Sequence, residues 1–349
     1  MATSQRIGIM TGGGDCPGLN AAIRAAAKCA ISEGFEVIGI HNGWEGLIDE
    51  DTQPLTRVNT SGIIDRGGTI LGTSRTSPLQ VENGTTRVFE TFNRLELSAL
   101  VVLGGDGTLT VAGKMFEMGL PVIGIPKTID NDIRGTDFTI GFQTAVEIAT
   151  QALDRIRTTA ESHHRVMLLE VMGRNAGWIA VYAGMANGAD AILIPEIPLN
   201  DEKMEDLCKM LLTRKSRGVN YSIIAVAEGT KVLGQTVARE YLAAPGEQPR
   251  PKYGGVAVQL AEIIEKRTKL QTGVSSLGYI QRGGTPTAYD RSLATFFGVK
   301  AIKLIQEKDF GKMTALRGNR ITGVPLSIVA EGIRQVDMNA YRTAEIFFG

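Results

Sequence analysis

The chain is poor in the raw material of several protein classes. Its 349 residues include only three cysteines, Cys16, Cys29 and Cys208. An odd number without metal-type spacing argues against a disulfide framework or a zinc site and leaves small buried thiols. Histidine is as scarce, at three residues, and His163 and His164 fall at an expected helix end, where they cap or face solvent and show no ligand spacing. No stretch approaches 18 uninterrupted apolar residues, and the opening MATSQRIGIMTGGG enters a strand-like run without the regions of a secretion signal. A soluble, cytoplasmic protein with no membrane partner is expected. Net charge is also lacking, because 37 Lys and Arg balance 37 Asp and Glu. No global field favours nucleic acid or anionic lipid, so any anion binding must be local.

Glycine, by contrast, is plentiful. The 42 glycines cluster at Gly12–Gly14, at Gly104, Gly105 and Gly107, and at Gly283–Gly284, as tight backbone loops around small ligands would require. Hydrophobic residues make up 43% of the chain, enough to bury a substantial core, and the length fits two modest domains.

Short β-branched runs precede the glycine loops: RIGIM 6–10, EVIGI 36–40, ALVVLGG 99–105 and PVIGIP 121–126. Helical spacing fills the gaps, as in GLNAAIRAAAKCAISEG, which stops at Gly34. The pattern restarts near residue 142 with a long helix, then strands in RVMLLEVMG 165–173, AILIPE 191–196 and YSIIAVAEG 221–229. APGEQPRPKYGG 244–255 has loop composition, and GVSSLGYIQRGG 273–284 supplies a last strand and a glycine-marked turn. Alternation of this kind predicts an α/β fold with mainly parallel sheets covered by helices, ligands binding outside the carboxyl ends of the strands.

Three loops carry candidate chemistry. TGGGDCPGLNAAIR 11–24 follows a strand and opens a helix, so its amides can cradle phosphate; the alternative is a plain glycine-rich turn with Asp15 as its cap. LGGDGTL 103–109 repeats the device and adds Asp106, a hard oxygen ligand suited to Mg2+ bridging phosphates. IPKTIDNDIRGTD 125–137 then brings Lys127 and Thr128 beside Asp130 and Asp132. An attacking hydroxyl must lose its proton, and either carboxylate can take it while Lys127 and Thr128 meet phosphate oxygens. Arg174 in EVMGRNAG 170–177, Arg165 and Arg282 offer planar forks for phosphate. Trp44 is a core aromatic or a surface for a nucleobase.

With these motifs assembled in order over nearly the whole chain, together with GGTILGTSR and AEGT, the sequence resembles the 6-phosphofructokinase family. NAD kinases and lipid kinases share a GGDGT loop but resemble neither MGRNAG nor IQRGG. The resemblance implies two Rossmann-like lobes with the active site in the cleft between them. The donor lobe would be residues 1–141 plus 283–332, and the sugar-phosphate lobe 142–282 plus 333–349. It implies Mg2+-dependent phosphoryl transfer to the 1-hydroxyl of fructose 6-phosphate, with Asp130 as base and Asp106 on the metal. Gly14, Arg75, Thr76, Gly105, Asp106, Gly107 and Thr108 would face the donor. Thr128, Asp130, Asp132, Met172, Gly173, Arg174, Glu228, Tyr279 and Arg282 would face the sugar, Arg174 also stabilising the transferring group. Arg165 would reach the 6-phosphate in a neighbouring subunit of a homotetramer or homodimer.

The chain departs from the family pattern at two places: Gly273 stands where an arginine is usual and Tyr279 where a histidine is common. The donor is ATP on the strength of Gly107, which adds neither bulk nor charge against an α-phosphate. Pyrophosphate-dependent members resemble GGDD with PKTIDND, so Lys127 matches their pattern and makes pyrophosphate the alternative. A non-catalytic sugar-phosphate-binding paralogue is the remaining reading.

Overall fold

Strands buried on both faces must be apolar along their whole length, and the runs picked out by sequence form two such sheets in the computed structural model, which describes residues 5–239, 246–247 and 251–349. The chain begins with β1 (Arg6–Thr11), α1 (Leu19–Ser32), β2 (Glu36–Ile40), α2 (Trp44–Asp49), β3 (Thr52–Leu55), α3 (Gly84–Arg94), β4 (Leu97–Gly104), α4 (Asp106–Glu117) and β5 (Val122–Pro126). It continues with α5 (Phe142–His163), β6 (Val166–Val171), α6 (Trp178–Asn187), β7 (Ala191–Leu193), α7 (Asp201–Ser216) and β8 (Ser222–Ala227). Two short antiparallel pairs follow, β9 (Lys231–Val232) with β10 (Gln235–Thr236), and β11 (Ala238–Arg239) with β12 (Lys252–Tyr253). The remainder is α8 (Val256–Thr268), β13 (Thr272–Ser276), α9 (Ala288–Gln306), β14 (Lys312–Arg317), β15 (Arg320–Pro325) and α10 (Met338–Glu345).

The larger sheet has the order β15-β14-β5-β4-β1-β2-β3 and the smaller β13-β6-β8-β7. All pairings are parallel except those of the two edge strands β3 and β15. Side-chain alternation decides which helices cover which face. Ile7, Ile9, Val101 and Leu103 join one core with Ala22 and Ala26 of α1 and Phe297 and Ala301 of α9. Met10, Leu100 and Val102 turn the other way, onto Leu47 of α2, Val88 of α3 and Met115 of α4. The smaller sheet sends Met167, Leu169 and Val171 into the first core beside Ile179 of α6, and Val166 and Leu168 against Leu207 of α7 and Leu260 of α8. One apolar layer therefore runs continuously between the sheets, and each fully buried Ile or Leu in it contributes roughly 1.5–3 kcal/mol. Small residues set its thickness: a Cβ on Gly298 would meet the Ala25 Cβ and the Ala26 nitrogen, both at 2.8 Å.

Three sequence expectations are corrected. GVSSLGYIQRGG does not hold the last strand, because the hairpin β14–β15 follows and returns to the larger sheet, with Lys312 opposite Ile123 and Met313 opposite Gly124. KMTALR and RITGVP mix Thr, Arg and Gly into the strand, as outer positions allow, and so lack an apolar run. Asp15 does not cap α1, whose N-terminal flank is Gly18 at φ 105° with no side-chain cap. Within 244–255, read from composition as loop, Lys252–Tyr253 form β12 by pairing with β11, and residues 244–245 and 248–250 lie outside the described residues. Among the described residues no helix is long and apolar enough to cross a membrane. Cys16 and Cys208 are buried thiols as expected, while Cys29 is only half-buried.

Candidate active site

Strand order reverses around β1, flanked by β4 and β2, and at such a switch point the loops leaving the carboxyl ends diverge and open a crevice. The loops after β1, β4 and β5 line it together. Gly13, Gly14, Ser74, Arg75, Thr76, Gly105, Asp106, Gly107 and Thr108 line it together with Lys127, Thr128, Asp130, Arg174 and Arg282. The GGDGT loop is a helix start in the strict sense: Gly105 flanks α4 and Asp106 is its first residue, so orphan amides and the positive helix end face the cleft. Glycine is required just before it, since a Cβ on Gly104 would meet the Thr108 Cβ at 2.4 Å. The TGGGD loop differs, because Asp15, Cys16, Pro17 and Gly18 separate Gly14 from α1.

The β5 loop is buried. The Lys127 ammonium donates to the Gly14 carbonyl at 2.6 Å, and burial, aided by Arg282, pushes it down to about 8 against the pull of Asp15 and Asp106. Thr128 Oγ1 accepts from the Asp130 amide at 3.1 Å. Asn131, which the sequence reading left without a role, organises the turn. It takes a left-handed φ of 52°, as Asn tolerates, and its Oδ1 accepts from the Thr139 amide at 3.0 Å while Nδ2 donates to the Asp137 carbonyl at 3.3 Å. Asp130 Oδ1 is buried with no hydrogen-bond partner among the described residues. Burial, then the neighbouring Asp130 and Asp106, pushes the Asp132 carboxyl up to about 8, with Arg174 opposing.

From the smaller sheet, the β6 loop sends Arg174 across the gap. Its guanidinium lies 3.9 Å from Asp106 Oδ1 and 3.9 Å from Asp130 Oδ2, so it stands between the two carboxylates. Its own backbone is left-handed at φ 51°, directly after Gly173 at φ 141°. The amide of Arg174 donates to Glu228 Oε1 at 3.1 Å, and burial together with Asp130 pushes the Glu228 carboxyl up to about 7. Met172 is fixed by donating its amide to Gln281 Oε1 at 2.7 Å, a partner the sequence reading missed although it sits inside the quoted IQRGG.

Other predicted residues are placed elsewhere. Arg282 reaches back to donate to the Asp15 carbonyl at 3.1 Å beside Gly14, on the glycine-loop side. Tyr279 is 66% exposed and does not line the cleft. Arg165 lies in a separate surface depression with Lys269 and donates to Gln271. At Gly273 a Cβ would meet Met167 Sδ at 2.4 Å, so methionine occupies the space a side chain would need. Trp44 is both core and cleft lining, 3% exposed, with its indole nitrogen unpartnered among the described residues.

Parallel strand ends, amide-lined loops and an arginine crossing from a second sheet define a two-sheet α/β protein with a cleft chemically suited to phosphorylated ligands. A family model described as phosphofructokinase matches residues 6–305. The chain belongs to the phosphofructokinase family. It is 46% identical over 348 residues to a pyrophosphate–fructose 6-phosphate 1-phosphotransferase of Amycolatopsis methanolica, covering 99% of this chain and 100% of the relative. An ATP-dependent 6-phosphofructokinase of Spirochaeta thermophila is 45% identical over 344 residues, covering 95% and 93%. The solved phosphofructokinase of Saccharomyces cerevisiae matches with a TM-score of 0.82 at 31% identity over 99% of this chain, which spans 46% of that yeast chain.

Proposed function

We propose that the protein transfers a phosphoryl group from ATP to the 1-hydroxyl of fructose 6-phosphate, with Asp130 as general base. The observation that carries this reading is the buried, unpartnered Oδ1 of Asp130. An acceptor left without a donor costs about 1–3 kcal/mol, and an attacking hydroxyl would supply the missing donor before surrendering its proton to the same oxygen. Arg174 would steady the transferring group, because it stands 3.9 Å from both the donor-side and the acceptor-side carboxylate. Asp132, Thr128, Met172, Gly173 and Glu228 would frame the sugar. Lys127 would face donor phosphate while holding the Gly14 loop.

Mg2+ fits at Asp106. The carboxylate is a hard oxygen donor on the cleft wall with 39% of its side chain accessible, as a cation that keeps waters and shares phosphate oxygens requires. The ion would supply charge neutralisation on the donor phosphates.

ATP is favoured because Gly107 puts no side chain into the cleft at the first turn of α4. Pyrophosphate remains the second reading, since several similar relatives at 43–46% identity carry that donor in their names. A coupled assay with fructose 6-phosphate and Mg2+, run with each donor in turn, decides between them. Turnover with pyrophosphate alone sinks the ATP assignment, and turnover with neither sinks the reaction. The reading includes the lobe division 1–141 plus 283–332 and 142–282 plus 333–349, a cytoplasmic setting and a homotetramer or homodimer in which Arg165 serves the neighbouring site. Lys269, which shares the depression of Arg165, can substitute for the arginine absent at Gly273, whereas Arg267 is engaged by Asp201 at 2.9 Å.

A further inference from the structure

Between β15 and α10 the chain passes behind the cleft, and Arg334 on this stretch touches both loops that carry its opposing charges. The Arg334 amide donates to the Asp132 carbonyl at 2.7 Å, and its Nη1 donates to the Asp137 carbonyl at 2.8 Å, the same oxygen that receives Asn131 Nδ2. On its other side the guanidinium lies 4.2 Å from the centroid of the Trp178 ring, and Trp178 Nε1 donates to the Arg334 carbonyl at 3.0 Å. Trp178 opens α6, immediately after the turn that carries Arg174. Two residues beyond Arg334, the Val336 amide donates to Glu196 Oε1 at 3.0 Å, and the same carboxylate accepts from the Gly177 amide.

We propose that Arg334 is a positioning residue that clamps the 132–137 turn onto Trp178 and thereby sets the distance between Asp130 and Arg174. The proposal rests on the reading of Asp130 and Asp132 as the acceptor-facing pair. Its physical basis is that the turn leaves β5 before α5 begins, so the carbonyls of Asp132 and Asp137 have no ladder to join and need donors from elsewhere. One arginine supplies a backbone donor and a side-chain donor to them, and its planar face stacks on the aromatic ring that opens α6, next to the turn that carries Arg174. Lysine carries three donors on one tetrahedral nitrogen but has no planar face to stack on the ring.

The test uses the full chain with Arg334→Ala, Arg334→Lys and Trp178→Phe, reading amide hydrogen exchange without substrate and steady-state kinetics with fructose 6-phosphate and ATP. The clamp requires faster exchange in Arg334→Ala across 128–139 and 172–178 together. It also requires a fall in kcat of roughly 10–100-fold with the donor KM changed less than about twofold, as a displaced reacting group dictates. Arg334→Lys should recover melting temperature more fully than kcat, and Trp178→Phe, which keeps a ring but removes the indole donor, should fall between. Unchanged exchange across 128–139 overturns the clamp, as does faster exchange with kcat unaltered, which would make Arg334 scaffolding only. Should Arg334→Ala fail to fold, the other two variants carry the same readouts. Exchange is read on the protein alone, so an enzyme inactive on fructose 6-phosphate would reject the reaction while the clamp is still decided.

Discussion

The loops that end β4 and β5 leave neighbouring strands, and they solve opposite problems. Asp106 is the first residue of a helix, with 39% of its side chain in contact with solvent. Asp130 has 4% of its side chain exposed and sits in a turn that is neither helix nor strand, tied down by Thr128, Asn131 and Thr139. A carboxylate that meets a hydrated cation must stay wet, whereas one that accepts a proton from an alcohol gains by being dry and lacking a partner. The first is placed by the start of a helix, and the second by a network of side chains around its turn.

The comparison breaks most severely at the dry loop. Asp130→Ser should lower kcat by roughly 10²–10⁴-fold while calorimetric donor affinity stays near wild type, because a proton acceptor goes and little binding surface changes. Unaltered turnover would reject its role as base. At the wet loop, Gly107→Asp adds a charge where an α-phosphate would lie, and kcat/KM for ATP should drop by roughly 100-fold while that for pyrophosphate is spared. Equal ATP activity in that variant would refute the steric account.

Smaller effects sharpen the contrast. Asn131→Ala takes from the buried Thr139 amide its Asn131 Oδ1 acceptor, while the Asp137 carbonyl keeps its donor from Arg334, and should cost about 1–3 kcal/mol in urea unfolding. A loss indistinguishable from zero would mean that Asn131 does not organise the turn. Asp132 gives the mildest signature, in the dependence of stability on pH. Its carboxyl is held up at about 8 in the folded protein against an unfolded value near 3.8, so the folded state binds the extra proton between those limits. That contribution is complete below the unfolded value and is lost as pH rises toward 8. The melting temperature of wild type should therefore fall relative to Asp132→Asn over this range, and parallel curves would show that Asp132 is ionised throughout.

Much of this was legible in the sequence because the physics was local. RIGIM, ALVVLGG and PVIGIP read as buried parallel strands since both faces are covered, and GGDGT declared a helix start through its own glycines. What was missed is non-local or sits at edges. TQPL of β3 carries a proline that only an edge strand tolerates, and KMTALR finds its place only by pairing with β5 from far along the chain. Asn131 lay inside the quoted motif, yet its partner Thr139 is identified only by the fold. Arg334 left no trace at all, because nothing in GIRQVDM predicts a tryptophan beneath it. Arg282 was marked in the sequence as a phosphate-type arginine, and its place beside Asp15 depends on a turn whose direction composition does not encode.

The late return of β14 and β15 to the larger sheet also sets an order in time. The smaller sheet is drawn from one continuous stretch, Val166 to Ser276, and can close while the ribosome is still working. The larger sheet has β5 as a bare flank from Pro126 until Lys312 emerges, a wait of roughly 10–40 s at about 5–20 residues per second. During that interval an apolar strand edge is open to other nascent chains. Fast synthesis of the last hundred residues, or a chaperone resting on β5, would protect yield without altering the finished enzyme.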